Sequence, residues 1–269
     1  MNVETSTYHR LLSLVALLGS WIVVAENAPT TPLTTINVTS DDWCPYICPD
    51  TWRDKGLIIE VVTAALREVG LKTEYQYTKS WKRAIQNVET GFSDILLDAD
   101  NEHSEILDFA ENFYVLDESV FVILKGRNIT LNYPKDLWRY KLGVIKEYIY
   151  DKKYGQWEKY ITEHPNVLKT SESLGESHLL ELLARKRIDI VLLNWDVARH
   201  ELDESQIKQF SIIEKGVSSL LHLGFTRSER GRKIKEKFEQ GFNRLIDTKK
   251  LKNIYAKYHI KMPDFSVTD

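Results

Sequence analysis

The 269-residue chain has only two cysteines and two methionines, and it lacks any block of charge of one sign. Its 36 Lys and Arg residues nearly balance its 39 Asp and Glu residues, so the formal net charge is −3. Evenly scattered charge does not favour binding to nucleic acid or to an anionic membrane surface. The sequence therefore predicts neither of these partners.

Recognisable catalytic motifs are also missing. The chain has no Gly-x-Ser-x-Gly elbow, no glycine-rich phosphate loop and no His-Glu-x-x-His pair. Asp98 and Asp100 alternate along an extended segment, so their side chains would point to opposite faces and could not easily share a proton. We therefore expect no enzymatic activity, no cofactor and no metal ion.

One apolar run, residues 11–18 with a continuation through 21–24, follows the weakly basic start of the chain. Small residues for cleavage, Val23 and Ala25, follow this run. The pattern predicts an export signal over 1–25 and a Thr- and Pro-rich leader over 26–35, which implies a periplasmic protein. The alternative is a membrane anchor, but the run is short for a spanning helix and is interrupted by polar residues.

Cys44 and Cys48 are separated by three residues. In an oxidising compartment this spacing predicts a disulfide that closes a small loop. A thioredoxin-like redox pair has two intervening residues, so the spacing does not match that motif. Free or metal-bound thiols remain alternatives, although a metal site would need further ligands and no histidine lies near the pair in sequence.

Strand-like and helix-like patterns alternate twice along the chain. The first unit has the order β-α-β-α-β, over 36–39, 57–69, 73–77, 81–88 and 92–97. The second unit repeats that order, over 142–145, a helix ending near 161, 167–168, 174–183 and 188–193. Two such units predict an α/β protein with two Rossmann-like lobes, each with a mostly parallel sheet.

Further elements lie on both sides of the second unit. Residues 119–124 form a long apolar strand candidate before it, and residues 222–226 form another strand after it. An apolar helical stripe follows over 234–246. These elements could belong to the first lobe. The ligand crevice would then lie between the lobes, at the carboxyl ends of the strands.

The order and spacing of several segments resemble those of bacterial extracellular solute-binding protein family 3. This family serves polar amino-acid transporters and has the type II periplasmic-binding fold. The resemblance covers 36–258. It rests on the Trp-Cys-Pro-Tyr loop at 43–46, Gly56, Trp-Lys-Arg-Ala at 81–84, Gly-Phe-Ser-Asp-Ile at 91–95, and the segments 107–114, 137–144, 187–191, 223–225 and 251–258.

The resemblance implies a discontinuous first lobe, of residues 36–115 and 222–269, and a second lobe of residues 116–221. Two crossing strands, near 113–117 and 218–222, would form the hinge. Closure about this hinge would trap a small-molecule solute, and the closed form would be recognised by the permease of an ABC transporter or by a membrane receptor. We expect a monomer.

The chain departs from the family pattern where the family binds α-amino acids. His103 stands where an Arg usually pairs with the ligand carboxylate, and Asp100 stands where a Thr is general. Asn194 replaces the Asp that accepts from the ligand ammonium, and Glu147-Tyr148 replace a Gly-Thr turn. Each lost charge-assisted contact contributes a few kcal/mol. These departures argue against a free α-amino acid as the ligand.

Aromatic side chains dominate the loops expected to face the crevice. They would suit a flat or apolar solute, or a cation held over ring faces, with Asp98, Asp100 or Glu147 as countercharge. The predicted ligand-binding residues are Trp43, Tyr46, Trp81, Arg83, Asp98, Asp100, His103, Glu147, Tyr148, Tyr150 and Asn194. Purely structural roles remain open for them, such as core packing for Trp81 and simple exposure for His103.

Two other functions stay open. A dehydratase has arisen on the same binding scaffold, and His103 with an acid could transfer protons. A sensory module that passes closure to a separate membrane receptor is the second alternative.

Overall fold

The computed structural model describes residues 35–99, 103–146, 156–171 and 174–265. The strands of this part of the chain are β1 Thr35–Ser40, β2 Lys72–Tyr77, β3 Ile95–Ala99, β4 Leu107–Leu124, β5 Leu142–Ile145, β6 Val167–Thr170, β7 Ile190–Asn194 and β8 Phe210–Thr226. They alternate with helices, in the order that the apolar periodicity predicts for each unit.

The helices differ widely in length, and a 3₁₀ helix at Pro134–Arg139 precedes β5. The α-helices are α1 Leu57–Glu68, α2 Trp81–Glu89, α3 Gln156–Thr162, α4 Gly175–Ala184, α5 Trp195–Glu201, α6 Glu204–Ile207, α7 Glu229–Asp247 and α8 Lys250–Lys257. None of the helices within the described ranges is long and apolar enough to cross a membrane.

Eight strands of the described chain form one sheet, in the order β2-β1-β3-β8-β4-β7-β5-β6. At one end β1 pairs in parallel with β2 and β3, and at the other end β5 pairs in parallel with β6 and β7. The long strands β4 and β8 run antiparallel to each other between these two halves. The predicted mixed α/β fold, with two parallel units and two crossing strands, is confirmed.

Two large apolar cores lie on the two halves of the sheet. The first core packs α1 and α7 against β1 and β3, and Phe238 and Phe242 stack within it at 5.7 Å between ring centroids. The second core packs α4 against β5 and β7. Val115 belongs to the first core and Val120 to the second, although both lie on β4. The exact lobe boundaries drawn from sequence stay a prediction.

The two long strands are regularly paired at the positions where the hinge is expected. Tyr114 lies opposite His222, and the antiparallel register continues to Glu118 opposite Ser218. The register shifts on both sides of this paired ribbon. Such irregularities weaken the ladder locally, so a short paired ribbon joins the two halves of the sheet where the hinge is expected.

The start of β3 differs from the sequence prediction. A strand was predicted from Phe92, but β3 begins at Ile95 and Phe92 is 61% exposed. Gly91 has a φ of 73°, which turns the chain after α2. Ser93 and Asp94 are buried and anchor the turn, because the Asp94 N–H donates to the Asn37 carbonyl at 2.7 Å.

Gly56 directly precedes α1, and its surroundings require a glycine there. Its φ is 107°, and a Cβ at this position would overlap the backbone carbonyl of Tyr46. That carbonyl accepts from the N–H of Ile58 at 2.9 Å. The loop that carries Tyr46 is thereby fixed against the first turn of α1.

His164 makes the stability of the second core depend on pH. Its Nε2 donates to the Leu137 carbonyl at 2.9 Å, and its Nδ1 accepts from the Asn166 N–H at 3.0 Å, so the buried ring is neutral. Burial lowers the pKa of His164. Its contribution to stability is therefore complete above the unfolded pKa of about 6.5 and is lost as the pH falls below it.

The free energy of unfolding of the wild type should fall between pH 7.5 and pH 5. We expect a smaller fall for His164→Gln, measured by urea denaturation. His178→Ala on α4 is the matched control; its surface pair with Glu181, at 3.7 Å, is worth little, so this variant should change the pH dependence far less than His164→Gln does. An unchanged slope in His164→Gln would contradict this role.

Candidate functional site

The carboxyl ends of β1 and β3 meet at one edge of the sheet. Ser40, the last residue of β1, donates from its Oγ to Oδ1 of Asp98 at 2.6 Å. Asp98 lies one residue before the end of β3 and is half-buried. The hydrogen bond therefore orients one carboxylate at the edge where open α/β sheets bind their ligands.

Further carboxylates and phenols surround Asp98. Asp42 follows β1 and accepts from the Tyr77 hydroxyl at 2.6 Å. Burial raises the pKa of Tyr75, and the charges of Asp42, Asp98 and Asp41 raise it further. Burial also raises the pKa of Tyr77, together with the hydrogen bond to Asp42. We call this edge, with Asp41, Asp42 and Asp98, the acidic edge.

An aromatic pair lies next to β3. Trp81 is the first residue of α2, and its ring meets that of His103 edge to face, with centroids 5.7 Å apart. Both residues are half-buried, whereas Arg83 is exposed on the first turn of the same helix. The structure thus brings the predicted residues Trp81 and His103 together.

The loop after β1 is closed by a disulfide between Cys44 and Cys48, as predicted from the spacing of the two cysteines. Within this loop the rings of Trp43 and Tyr46 stack at 4.1 Å with an interplanar angle of 17°. Trp43 stays half-buried. The stacked pair and the disulfide together give a compact loop beside the acidic edge.

Tyr46 is 1% exposed, so its ring faces the interior rather than open solvent. Its hydroxyl donates to Oδ2 of Asp196, on α5, at 3.1 Å. Burial raises the pKa of the Tyr46 phenol, and the charges of Asp196 and Asp117 raise it further. Tyr46 therefore joins the loop of the first half to a helix of the second half.

Asn194 is 3% exposed and both ends of its amide are hydrogen-bonded within the protein. Its Oδ1 caps α5 by accepting from the N–H groups of Asp196 and Val197, at 2.9 and 3.1 Å. Its Nδ2 donates to Oδ1 of Asp117 on β4 at 2.8 Å. Burial raises the pKa of Asp117. Asn194 thus orients Asp117 rather than presenting an open amide.

Four of the predicted ligand-binding residues lie outside the described residues. They are Asp100, Glu147, Tyr148 and Tyr150. The predicted signal, over 1–25, and the predicted leader, over 26–35, also lie outside them, except for Thr35, which begins β1.

The sequence analysis missed two carboxylates of the acidic edge and two carboxylates that contact Tyr46 and Asn194. Asp41 and Asp42 could have been found, because they directly follow a strand. Asp117 and Asp196 gave no usable signal, because their partners Asn194 and Tyr46 are distant in sequence, by 77 and 150 residues respectively.

Two α/β halves, a pair of crossing strands and polar residues at the strand ends define a two-lobed binding protein. The sequence profile described as "Bacterial extracellular solute-binding proteins, family 3" matches residues 36–261. The chain belongs to this family. No curated protein sequence matches the chain.

Solved structures support the type II periplasmic-binding fold. An ancestral arginine-binding protein bound to arginine is similar at 19% identity, with a TM-score of 0.62 over 83% of this chain and 97% of that one. The arginine-, lysine-, histidine-binding protein ArtJ from Geobacillus stearothermophilus has 18% identity, with a TM-score of 0.62 over 87% and 98%. A histidine kinase sensor domain has 17% identity, with a TM-score of 0.62 over 83% and 95%.

Proposed function

We propose that this protein binds a small cationic solute between its lobes by hinge closure and performs no covalent chemistry on it. The observation that carries this proposal is the acidic edge. Ser40 orients Asp98 near the carboxyl end of β3, and Asp42 follows β1, so a cationic solute bound at this edge would meet carboxylate oxygens. The solute would then be delivered to a membrane transporter.

Aromatic side chains beside the acidic edge favour the same class of solute. Trp81 lies next to His103, and Trp43 is half-buried in the disulfide loop. Indole faces attract ammonium and guanidinium groups, by about 0.5–2 kcal/mol depending on how far the pair is desolvated. Arg83, Asp100, Glu147, Tyr148 and Tyr150 remain predicted contributors. Tyr46 and Asn194 would act indirectly, by positioning Asp196 and Asp117.

The missing carboxylate clamp favours a cation without an α-carboxylate. His103 stands where the family resemblance implies an Arg, so a ligand carboxylate would lack its guanidinium partner. Two of the similar structures are named for binding arginine. The carboxylates of the acidic edge could recognise a guanidinium or amine group such as those ligands carry. We do not expect this protein to recognise the α-amino and α-carboxyl groups of an amino acid.

A thermal shift series tests this proposal with four probes: agmatine, arginine, glutamate and glucose. Agmatine carries the guanidinium of arginine without its carboxylate. At a concentration of about 100 times its Kd, a ligand stabilises the fold by about 2.7 kcal/mol, which raises Tm by about 5–10 °C. We expect this shift with agmatine and no shift with glutamate or glucose. Arginine stabilising far more strongly than agmatine would overturn the argument from the missing clamp.

Mass spectrometry of the same samples separates a binding protein from an enzyme. A binding protein returns the solute unchanged after long incubation, whereas a dehydratase would release a product lighter by one water. Product formation that depends on His103 would favour the enzymatic alternative.

A further inference from the structure

The sulfur atoms of Cys44 and Cys48 lie beside the imidazole of His200. One ligand atom of each of the three residues lies within 4.8 Å of the others. Cys48 is buried, Cys44 is half-buried and His200 is exposed at the end of α5. The ring of Trp52, from the same loop as the cysteines, lies 5.9 Å from the His200 ring. The His200 ring therefore lies beside both the disulfide and the ring of Trp52.

We propose that reduction of the Cys44–Cys48 disulfide creates a Cys2His site for Zn²⁺ or a similar thiophilic divalent cation. Two thiolates and one imidazole are the ligands of a known class of zinc site, in which the fourth position is left to water or another ligand. The disulfide form lacks thiolates and cannot bind the metal in this way. The site is therefore controlled by the redox state of the cysteines.

The redox step requires an external reductant, and a dithiol is the class that supplies it. The dithiol transfers two electrons and two protons to the Sγ–Sγ bond and becomes a disulfide itself. The two cysteine thiols then lose their protons to solvent as the metal binds, because the thiolate is the ligand. Three intervening residues leave the loop enough chain for the sulfur atoms to separate.

The ligands of the proposed metal site come from both halves of the sheet. Both cysteines belong to the loop between β1 and α1, whereas His200 belongs to α5, which follows β7 on the other half of the sheet. A bound metal ion would therefore join the two halves of the molecule. None of the three metal ligands belongs to the acidic edge, so the test of metal binding does not depend on the proposed cationic solute.

Cobalt titration of the full chain tests the proposal. The protein is reduced with a dithiol, the reductant is removed without air, and Co²⁺ is added until a thiolate-to-cobalt charge-transfer band appears. We expect one Co²⁺ per chain, displaced by Zn²⁺, and no band for the oxidised protein. Absence of the band in the reduced, folded protein would overturn the proposal, as would unfolding on reduction.

Variants locate the metal ligands. His200→Ala keeps both cysteines and changes an exposed residue, so its disulfide should form normally; we expect its affinity for Co²⁺ to fall at least about tenfold. His178→Ala removes a surface histidine of α4 and should bind as the wild type does. Cys44→Ser with Cys48→Ser should not give the band under any redox condition. Equal affinity of His200→Ala and His178→Ala would show that His200 is not a ligand.

Discussion

Asp94→Ala is expected to lower the free energy of unfolding by about 3 kcal/mol. Its carboxylate accepts from Nε and Nη2 of Arg230, at 2.7 and 3.0 Å, and from the Asn37 N–H at 2.9 Å. The Asp94 side chain is only 9% exposed. Its removal therefore leaves the Asn37 N–H without its acceptor, and Arg230 keeps its hydrogen bond to the Thr35 carbonyl but loses its carboxylate partner.

Asp189→Ala is the matched control in the second lobe. Asp189 also precedes the last strand of its unit, and it accepts from Arg127 at 2.8 Å and from the Lys141 N–H at 3.0 Å. Its side chain is 34% exposed, so water can replace the lost acceptor. We expect a loss of about 1 kcal/mol, measured by urea denaturation of both variants. Equal losses in the two variants would contradict the role given to burial.

Asp98→Asn is expected to weaken the binding of a cationic solute by about 10- to 100-fold. One charge-assisted contact is worth about 1.5–3 kcal/mol, and each 1.4 kcal/mol is a factor of about ten. The amide oxygen of asparagine can still accept from Ser40, so the edge of the sheet should keep its structure. Isothermal titration with agmatine measures the change in Kd.

Asp108→Asn is the control for this experiment. Asp108 carries the same charge at the start of β4, where it pairs with Arg227 at 3.1 Å. If the acidic edge binds the cation, this variant should keep the affinity of the wild type. Equal weakening by the two variants would mean that overall charge, and not the acidic edge, determines the affinity.

Local patterns were enough to predict most of the fold. The apolar run that became β7 and the helical periodicity of α1 both depend on neighbours in sequence, and the short spacing of Cys44 and Cys48 predicted their bond. The predicted start of β3 was wrong by three residues, because Asp94 is fixed by Arg230, which lies 136 residues away.

The candidate site was harder to predict from the sequence, because its contacts join distant segments. Asp98 and Trp81 could be selected, since Asp98 lies near the end of a strand and Trp81 begins the helix that follows β2. The close approach of His200 to the disulfide depends on the packing of α5 against a loop from the other half of the sheet. The spacing of these residues in the sequence does not indicate this contact. The same applies to Tyr46 and Asp196.

Isothermal titration of the unmodified protein with agmatine and with a neutral analogue of the same length tests the central claim most directly. The charge of the solute is then the only large difference between the two experiments. We expect saturable binding of agmatine at one site per chain, and binding of the neutral analogue weaker by at least about tenfold. Equal binding of both, or preferential binding of an anionic solute, would contradict the assignment of the acidic edge as the recognition site.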